Sequence, residues 1–323
     1  MSKEPLLIAD AFFVEKAGML TLLQDAGRFG QANLGLTHGG PADAHAFYWA
    51  NRLLDNAPNS CALEITVGGL ILKSNISSCI CLTGANIPLK INGQLRANWQ
   101  THQVKKGDML EFGFAESGIK AYMAVAGGFQ VDKQFGSVST VVRESVGGLS
   151  GLAIQPEDKL PAYEPAQQPS HKKQLEESQQ PNYSDDVLLR VVLGYQVDSF
   201  SKVEQLKFLT SSYQVSKQWD RMGYRLEGEP ISSTQTAMLS EGIALGAVQI
   251  PPDGQPIILM HDRQTIGGYP KIGSVFSLDL NKLAQCGQGT SVSFKAITME
   301  DAHNELHLDR YRFEQASIIE TAW

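Results

Sequence analysis

The sequence has no excess of positive charge. Lys and Arg total 27 against 34 Asp and Glu, giving a formal net charge of −7. That balance excludes the ordinary nucleic-acid binder, whose affinity comes from a basic surface that releases phosphate counterions. No run of about 18 uncharged apolar residues occurs, so no helix is expected to cross a bilayer. Met1-Ser2-Lys3-Glu4-Pro5 carries an acid and a proline and does not read as a secretion signal. Four cysteines, Cys61, Cys79, Cys81 and Cys286, are too few for a disulfide scaffold of 323 residues, and a reducing cytoplasm is the natural reading. There is no G-x-x-x-x-G-K-[ST] loop, no G-x-G-x-x-G between a strand and a helix, no H-E-x-x-H and no C-x-x-C. No Met-Lys-Met offers a lysine for biotin attachment, and no metal site is expected. His303 and His307 flank Glu305 with helical spacing, which serves a chelate or a plain solvated face.

What is present is a folded composition, 42% hydrophobic and 19% charged, with a length that favours two domains at about 150 residues each. Short apolar runs recur: Leu70-Ile71-Leu72, Ile80-Cys81-Leu82, Ala121 to Ala126, Leu188 to Leu193 and Ile257 to Met260. Turn formers such as Asn92-Gly93, Lys106-Gly107-Asp108 and Pro252-Asp253-Gly254 separate them. This pattern predicts a mainly β protein of barrels or sandwiches, with a hairpin at Asn92-Gly93. Helices are few. One is expected from Pro41 to about Leu54, with Phe47 and Leu54 facing the core, and a shorter one around Leu280 to Gln285.

One stretch breaks the pattern. Pro161 to Ser184 holds four prolines, five glutamines and His171-Lys172-Lys173, with sparse apolar residues. It reads as a linker or mobile excursion, or else a long ordered surface loop. The expected organisation is a first unit at 6–160, the linker at 161–184, a second unit at 185–305 and a tail at 306–323. The flanks repeat in part. Glu64, Gly69, Ile71, Ile80 and Leu82 match Glu241, Gly246, Val248, Ile257 and Leu259 at one constant offset. Gln103, Gly107, Leu110 and Phe112 match Gln285, Gly289, Val292 and Phe294 at a slightly larger one. An ordered series of this kind points to a duplicated unit.

Three polar segments set an acid beside an arginine and then glycines: Gln24-Asp25-Ala26-Gly27-Arg28-Phe29-Gly30, Asp220-Arg221-Met222-Gly223-Tyr224-Arg225, and Met260-His261-Asp262-Arg263-Gln264-Thr265-Ile266-Gly267-Gly268-Tyr269-Pro270. Glycine lets backbone N–H groups approach a ligand, and the guanidinium fork suits a carboxylate, carbamate or phosphate. Internal ion pairs that fix turn geometry are the alternative for all three. Gly39-Gly40-Pro41, with His38 beside it, offers a helix start as an anion seat.

These segments carry a resemblance. With Ala62-Leu63-Glu64-Ile65-Thr66, Leu82-Thr83-Gly84-Ala85, Tyr122-Met123-Ala124-Val125-Ala126-Gly127-Gly128 and the run Gln255 to Pro270, the chain resembles the allophanate hydrolase subunit 2, or biotin-dependent carboxyltransferase-like, family over about residues 6–300. The resemblance implies two tandem cyclophilin-like β-barrel domains. It implies a role as component C of an ATP-dependent 5-oxoprolinase, opening 5-oxo-L-proline to L-glutamate with homologues of components A and B. ATP would then act at the level of the complex, since this chain has no ATP motif. Two alternatives stand beside it. One is a carboxyltransferase component of a urea or amide carboxylase or allophanate hydrolase-type system, with biotin carried by another chain. The other is a non-catalytic antagonist of a kinase inhibitor.

In the first reading Asp262 is the base or water orienter and Gln264 positions the amide. Arg28, Arg221 or Arg263 holds an anion, and Asp25 belongs to the same catalytic set. His38, Gly39, Gly40, Thr265, Gly267, Gly268 and Tyr269 complete the substrate-binding expectation. The insertion at 29–63 is expected to act as a lid or as the docking surface for component B. Val138 and Leu152 stand where many family members have arginine, so a role that needs those arginines is not carried over.

Overall fold

The computed structural model describes residues 5–183, 185–235 and 238–323. The chain divides into two compact units. The first comprises the chain up to Phe29, Gly39–Asn182 and Ser317–Trp323; the second comprises Gly30–His38 and Tyr183–Ala316. The protein is mainly β, with four α-helices among the described residues.

The first unit holds two antiparallel sheets. One has six strands in the order Lys159–Glu164, Leu6–Ala17, Leu70–Ser74, Met109–Phe112, Leu89–Ile91, Gln94–Arg96; the other has five in the order Leu20–Gln24, Ala62–Thr66, Ser117–Val125, Ser78–Asn86, Thr101–Val104. Alternation decides what is buried. In Leu70–Ser74 the side chains of Leu70 and Leu72 join the core, whereas Ile71 and Lys73 do not. Phe12, Val14, Leu63, Ile65, Leu110 and Met123 belong to the same apolar cluster, which both sheets enclose. The Asn92-Gly93 hairpin forms as expected: both residues have left-handed φ, 52° and 77°, joining the paired strands Leu89–Ile91 and Gln94–Arg96.

Ser78–Asn86 is buried along nearly its whole length because helix α1 (Ala44–Leu53) covers its second face. Cys79 and Cys81 point to the face opposite Ile80 and Leu82; both are free thiols, and burial pushes Cys79 up to about 12. The helix is shorter than the expected Pro41–Leu54. Asp43 caps it, accepting from the Ala46 N–H at 3.0 Å, and the Ala42 and Asp43 N–H groups donate to Glu64 and Tyr122 instead of starting a turn. Phe47 is fully buried, but the core-facing residue of the last turn is Leu53, with Leu54 at the C-cap.

Residues 161–184, expected as a linker, carry the end of one strand and all of another. Lys159–Glu164 pairs with Leu6–Ala17, and His171–Leu175 pairs with Ile318–Ala322, a strand within the expected tail. A polar edge strand needs a ladder partner more than an apolar face. That partner lies at the far end of the chain, outside any local pattern. The other part of the tail is helix α4, described below.

The second unit closes as a seven-stranded barrel in the order Asp186–Leu193, Lys271–Val275, Ala247–Gln249, Ile257–Leu259, Gly223–Glu227, Ser212–Trp219, Ser291–Ala296. Its closing pair, Asp186–Leu193 with Ser291–Ala296, is parallel. Helices α2 (Lys202–Thr210), α3 (Ser277–Leu283) and α4 (Met299–Gln315) accompany it. Phe208 of α2 stacks on Phe294 of the barrel at 4.2 Å between ring centroids. The short helix expected near Leu280 is α3; α2 and α4 were not anticipated. His303 and His307 stand on exposed turns of α4, and no group of three His, Cys, Asp or Glu residues that could hold a metal occurs among the described residues.

The duplicated pattern does not extend to strand pairing. Leu70–Ser74 and Ser78–Asn86 lie in different sheets, yet their offset counterparts Ala247–Gln249 and Ile257–Leu259 pair directly.

His102 illustrates the burial cost in the first unit. Its Nε2–H donates to the Ala97 carbonyl at 2.8 Å. Burial holds the imidazole below its ordinary 6.5 against that carbonyl, with Arg96 and Lys172 adding to the lowering. A base depressed on folding takes its proton first in the unfolded chain. Its stabilisation is therefore present above pH 6.5 and lost as pH falls through the depressed folded value. Urea unfolding at descending pH should show stability falling across that window, and His102→Gln should flatten the slope. An unchanged slope in the variant would assign the effect to other groups.

Candidate functional site

In the first unit, Asp25 follows the strand Leu20–Gln24 and is 1% exposed. Its carboxylate accepts from Ser137 Oγ at 2.5 Å, Ser139 Oγ at 2.7 Å and the backbone N–H groups of Val138 at 3.0 Å and Gly27 at 3.1 Å. Arg28 is 0% exposed, with Nε on the Gln134 carbonyl and Nη2 on the Ser139 carbonyl. Asp25 and Arg28 thus stitch their loop to residues 134–139. Gly39 and Gly40 pack against the same cluster with positive φ, and a Cβ on Gly40 would sit 3.0 Å from the Ala26 carbonyl oxygen. Val138 takes part through its backbone N–H, while its side chain is buried in the apolar core.

The expected anion seat at the start of α1 is filled from within. Glu64, wholly buried, accepts from the Ala42 N–H at 2.9 Å and from Tyr122 Oη at 2.8 Å, and pairs with Lys120 at 3.4 Å. Asp43 accepts from the Ala46 N–H at the same helix start. Two carboxylates there satisfy the helix dipole and oppose a further anion. The sequence reading missed this Glu64–Tyr122–Lys120 network because nothing local joins residues so far apart along the chain.

The second unit holds a cavity of about 620 Å³, in the range of small-molecule sites. Period-2 alternation builds it. Tyr224, Leu226, Val248 and Ile258 are buried, while Gly223, Arg225, Ile257, Leu259 and Gln249 present the opposite side of their strands to the cavity. Trp219, Met222 and Ile243 add apolar wall; Arg263, Gln264, Gly267, Gly268 and Tyr269 bring in the third polar segment.

A buried ion pair sets this edge. Arg221 and Asp262, 6% and 5% exposed, form a bidentate pair, Nε to Oδ2 at 2.9 Å and Nη2 to Oδ1 at 2.8 Å. The Asp262 N–H donates to the Arg221 carbonyl at 2.7 Å, so backbone and side chains lock the same two residues. Neither lines the cavity; they hold the turn that delivers Arg263 to it. Arg263 Nε donates to the Ile243 carbonyl at 3.1 Å and makes no ion pair among the described residues. Burial lowers its pKa, and Asp262 partly offsets that. His38, in this unit, is held below its ordinary value by burial and then by the Arg263 charge. The neighbouring cation Arg225 is paired with Asp253, and Asp220 accepts from the Met222 and Gly223 N–H groups. Lys217 also lines the wall, so the cavity favours an anion. Thr265 contributes its carbonyl to the Ile243 N–H and does not line the cavity.

The cavity residues that sequence reasoning missed are Lys217, Gln218, Trp219, Ile243 and Gln249. Gln249 had one visible signal, an amide at the end of the otherwise apolar run Ala247-Val248.

Breaking the buried pair should be costly. Arg221→Ala leaves the Asp262 carboxylate buried without its partner and should destabilise by about 3–5 kcal/mol. The double variant Arg221→Met with Asp262→Leu should lose less than either single, because no lone charge remains. Urea unfolding of the three variants checks this; additive losses would remove the pair from its proposed structural role.

Known proteins resemble this chain in sequence and in fold. The chain is 35% identical over 296 residues to the C component of 5-oxoprolinase from Haemophilus influenzae, covering 90% of this chain and 94% of that protein. It is 34% identical over 302 residues to the C component of 5-oxoprolinase from Escherichia coli, covering 93% and 96%. The urea amidolyase of Saccharomyces cerevisiae is 28% identical over 308 residues, but the chain spans only 17% of that protein. Among solved structures, the urea carboxylase of Kluyveromyces lactis superposes with a TM-score of 0.87 at 26% identity, over 97% of this chain and 29% of that one. The family model described as carboxyltransferase domain, subdomain A and B, matches residues 34–296. The chain belongs to that carboxyltransferase-domain family.

Proposed function

We propose that this chain is the C component of an ATP-driven 5-oxoprolinase and opens 5-oxo-L-proline to L-glutamate together with components A and B. The observation that carries this reading is the degree of identity. The chain is 35% and 34% identical to the two C-component proteins but 28% identical to the urea amidolyase. In this reading the cavity of the second unit receives the substrate. Arg263 takes the carboxylate, with Lys217 adding charge, and Gln264, Gly267, Gly268 and Tyr269 enclose the ring. Asp262 and Arg221 act as positioning residues, since both carboxylate oxygens of Asp262 are already engaged by Arg221. His38 does not line the cavity; burial and then the Arg263 charge lower its pKa, which disfavours a second positive charge beside Arg263. Asp25, Arg28, Gly39 and Gly40 serve the first unit's loop geometry.

The helix start of α1, with Glu64 and Asp43 on its N–H groups, does not fit a phosphate, so ATP is assigned to the partner chains. The four buried thiols agree with a cytoplasmic setting.

The second reading, carboxyl transfer to a urea-like nitrogen, is favoured by the match to the urea carboxylase structure. It requires a separate biotin carrier. Purified components A and B and this chain, mixed with ATP and 5-oxo-L-proline, should form glutamate only when all three are present. Arg263→Ala should lower kcat/KM by about 10- to 100-fold, the loss expected of a hydrogen bond to a charged group. A complete mixture that forms no glutamate sinks the first reading. Avidin-sensitive carboxylation would establish the second, and a stable complex without any turnover would make the chain a binding partner only.

A further inference from the structure

Gln249 ends the strand Ala247–Gln249, next to a residue, Val248, that is wholly buried in the barrel. Gln249 faces the other way, into the cavity, and is 6% exposed. Its backbone is held in the ladder opposite Ile257 and Lys271. Its side-chain amide makes no hydrogen bond with any described residue. The amide opens on the cavity, so a ligand that enters displaces its water and must replace the lost hydrogen bonds.

Gly267, on the strand Ile266–Gly267, packs close to that amide. A Cβ at position 267 would lie 2.9 Å from Gln249 Nε2 and would collide with Ile243 Cδ1. Gly267 therefore sets how closely the backbone approaches the amide, and a larger residue there would push Ile243 or the amide out of place. Arg263, which also lines the cavity, supplies the positive charge.

A primary carboxamide presents a donor and an acceptor side by side. A cyclic amide or cyclic urea is held cis, so its N–H and C=O also lie side by side. The two groups pair through two hydrogen bonds in one ring. An open-chain trans amide points its N–H and C=O in opposite directions and can make only one of them. We propose that Gln249 is the specificity-determining residue of this cavity and that it reads the cis-amide edge of a small cyclic amide whose carboxylate is held by Arg263. The inference rests on the cavity being the substrate site of the proposed function, and it adds the feature that selects a lactam over an open-chain amide or a plain cyclic amino acid. A site that pairs both polar groups of its ligand rejects analogues lacking either one, because its own buried group is then left unmatched.

The test uses the full chain assembled with components A and B, and titration calorimetry with four probes: 5-oxo-L-proline, N-methyl-5-oxo-L-proline, L-proline and 2-imidazolidinone. Wild type should bind 5-oxo-L-proline at least tenfold tighter than the N-methyl analogue or L-proline. Gln249→Leu should weaken 5-oxo-L-proline by a similar factor and abolish the discrimination against N-methylation, since both changes remove the same contact. Gln249→Glu, which keeps the shape but loses the donor, should behave like the Leu variant. Both variants should retain the wild-type melting temperature or exceed it, because the amide has no partner to lose. If the variants discriminate as wild type does, the inference is overturned and the function stands. If the complex ignores 5-oxo-L-proline but binds 2-imidazolidinone in a Gln249-dependent way, the oxoprolinase reading fails and the cis-amide assignment stands. Binding of neither probe overturns the assignment.

Discussion

The cavity of the second unit depends on one interaction, the buried bidentate pair of Arg221 and Asp262. Two charges removed from water are tolerated only when each satisfies the other, and here the backbone bond from Asp262 to Arg221 adds to the lock. Residues 220–223 and 260–263 are thereby held in one register at the end of the Gly223–Glu227 and Ile257–Leu259 ladder. Arg263 is the next residue along, and its direction follows from that register. The run through Tyr269 then passes along the same side of the barrel. An acid and an arginine that look catalytic in the sequence thus act one step removed from the ligand.

The first unit uses the same residue types differently. Asp25 is saturated by two serine hydroxyls and two backbone N–H groups, which makes it the hub of a loop cluster. Glu64, Tyr122 and Lys120 form a second buried polar network that fixes the start of α1. In both, a buried carboxylate is matched by donors brought in from distant parts of the unit's sequence. Such networks specify one loop conformation, whatever their net contribution to stability. The cavity of the second unit contrasts with them through Gln249, whose amide the fold leaves unmatched.

Much of the fold was legible from the residues. Short alternating strands, the Asn92-Gly93 hairpin and the helix carrying Phe47 are local consequences of backbone stereochemistry and side-chain period. Their boundaries moved only where a distant side chain intervened, as when Glu64 and Tyr122 took the N–H groups ahead of α1. The polar stretch around His171-Lys172-Lys173 was misread because composition reports only how much surface a segment can bury. It carries no information about a ladder partner more than a hundred residues away. The apparent internal repeat failed as a guide to strand pairing for a related reason: pairing is decided by which edges meet.

The sequence alone determined a mainly β chain with the three acid–arginine–glycine segments and no nucleotide loop. It also narrowed the chemistry to recognition of an anion, because cation type and glycine freedom are properties of residues. Only the tertiary structure decided which of those arginines faces a cavity, which carboxylates are consumed by internal pairs, and that Gln249 stands buried without a partner among the described residues. The reason is physical. Whether a polar group is spent or available depends on its neighbours in space, and in a fold built from non-adjacent strands those neighbours are set by register and closure.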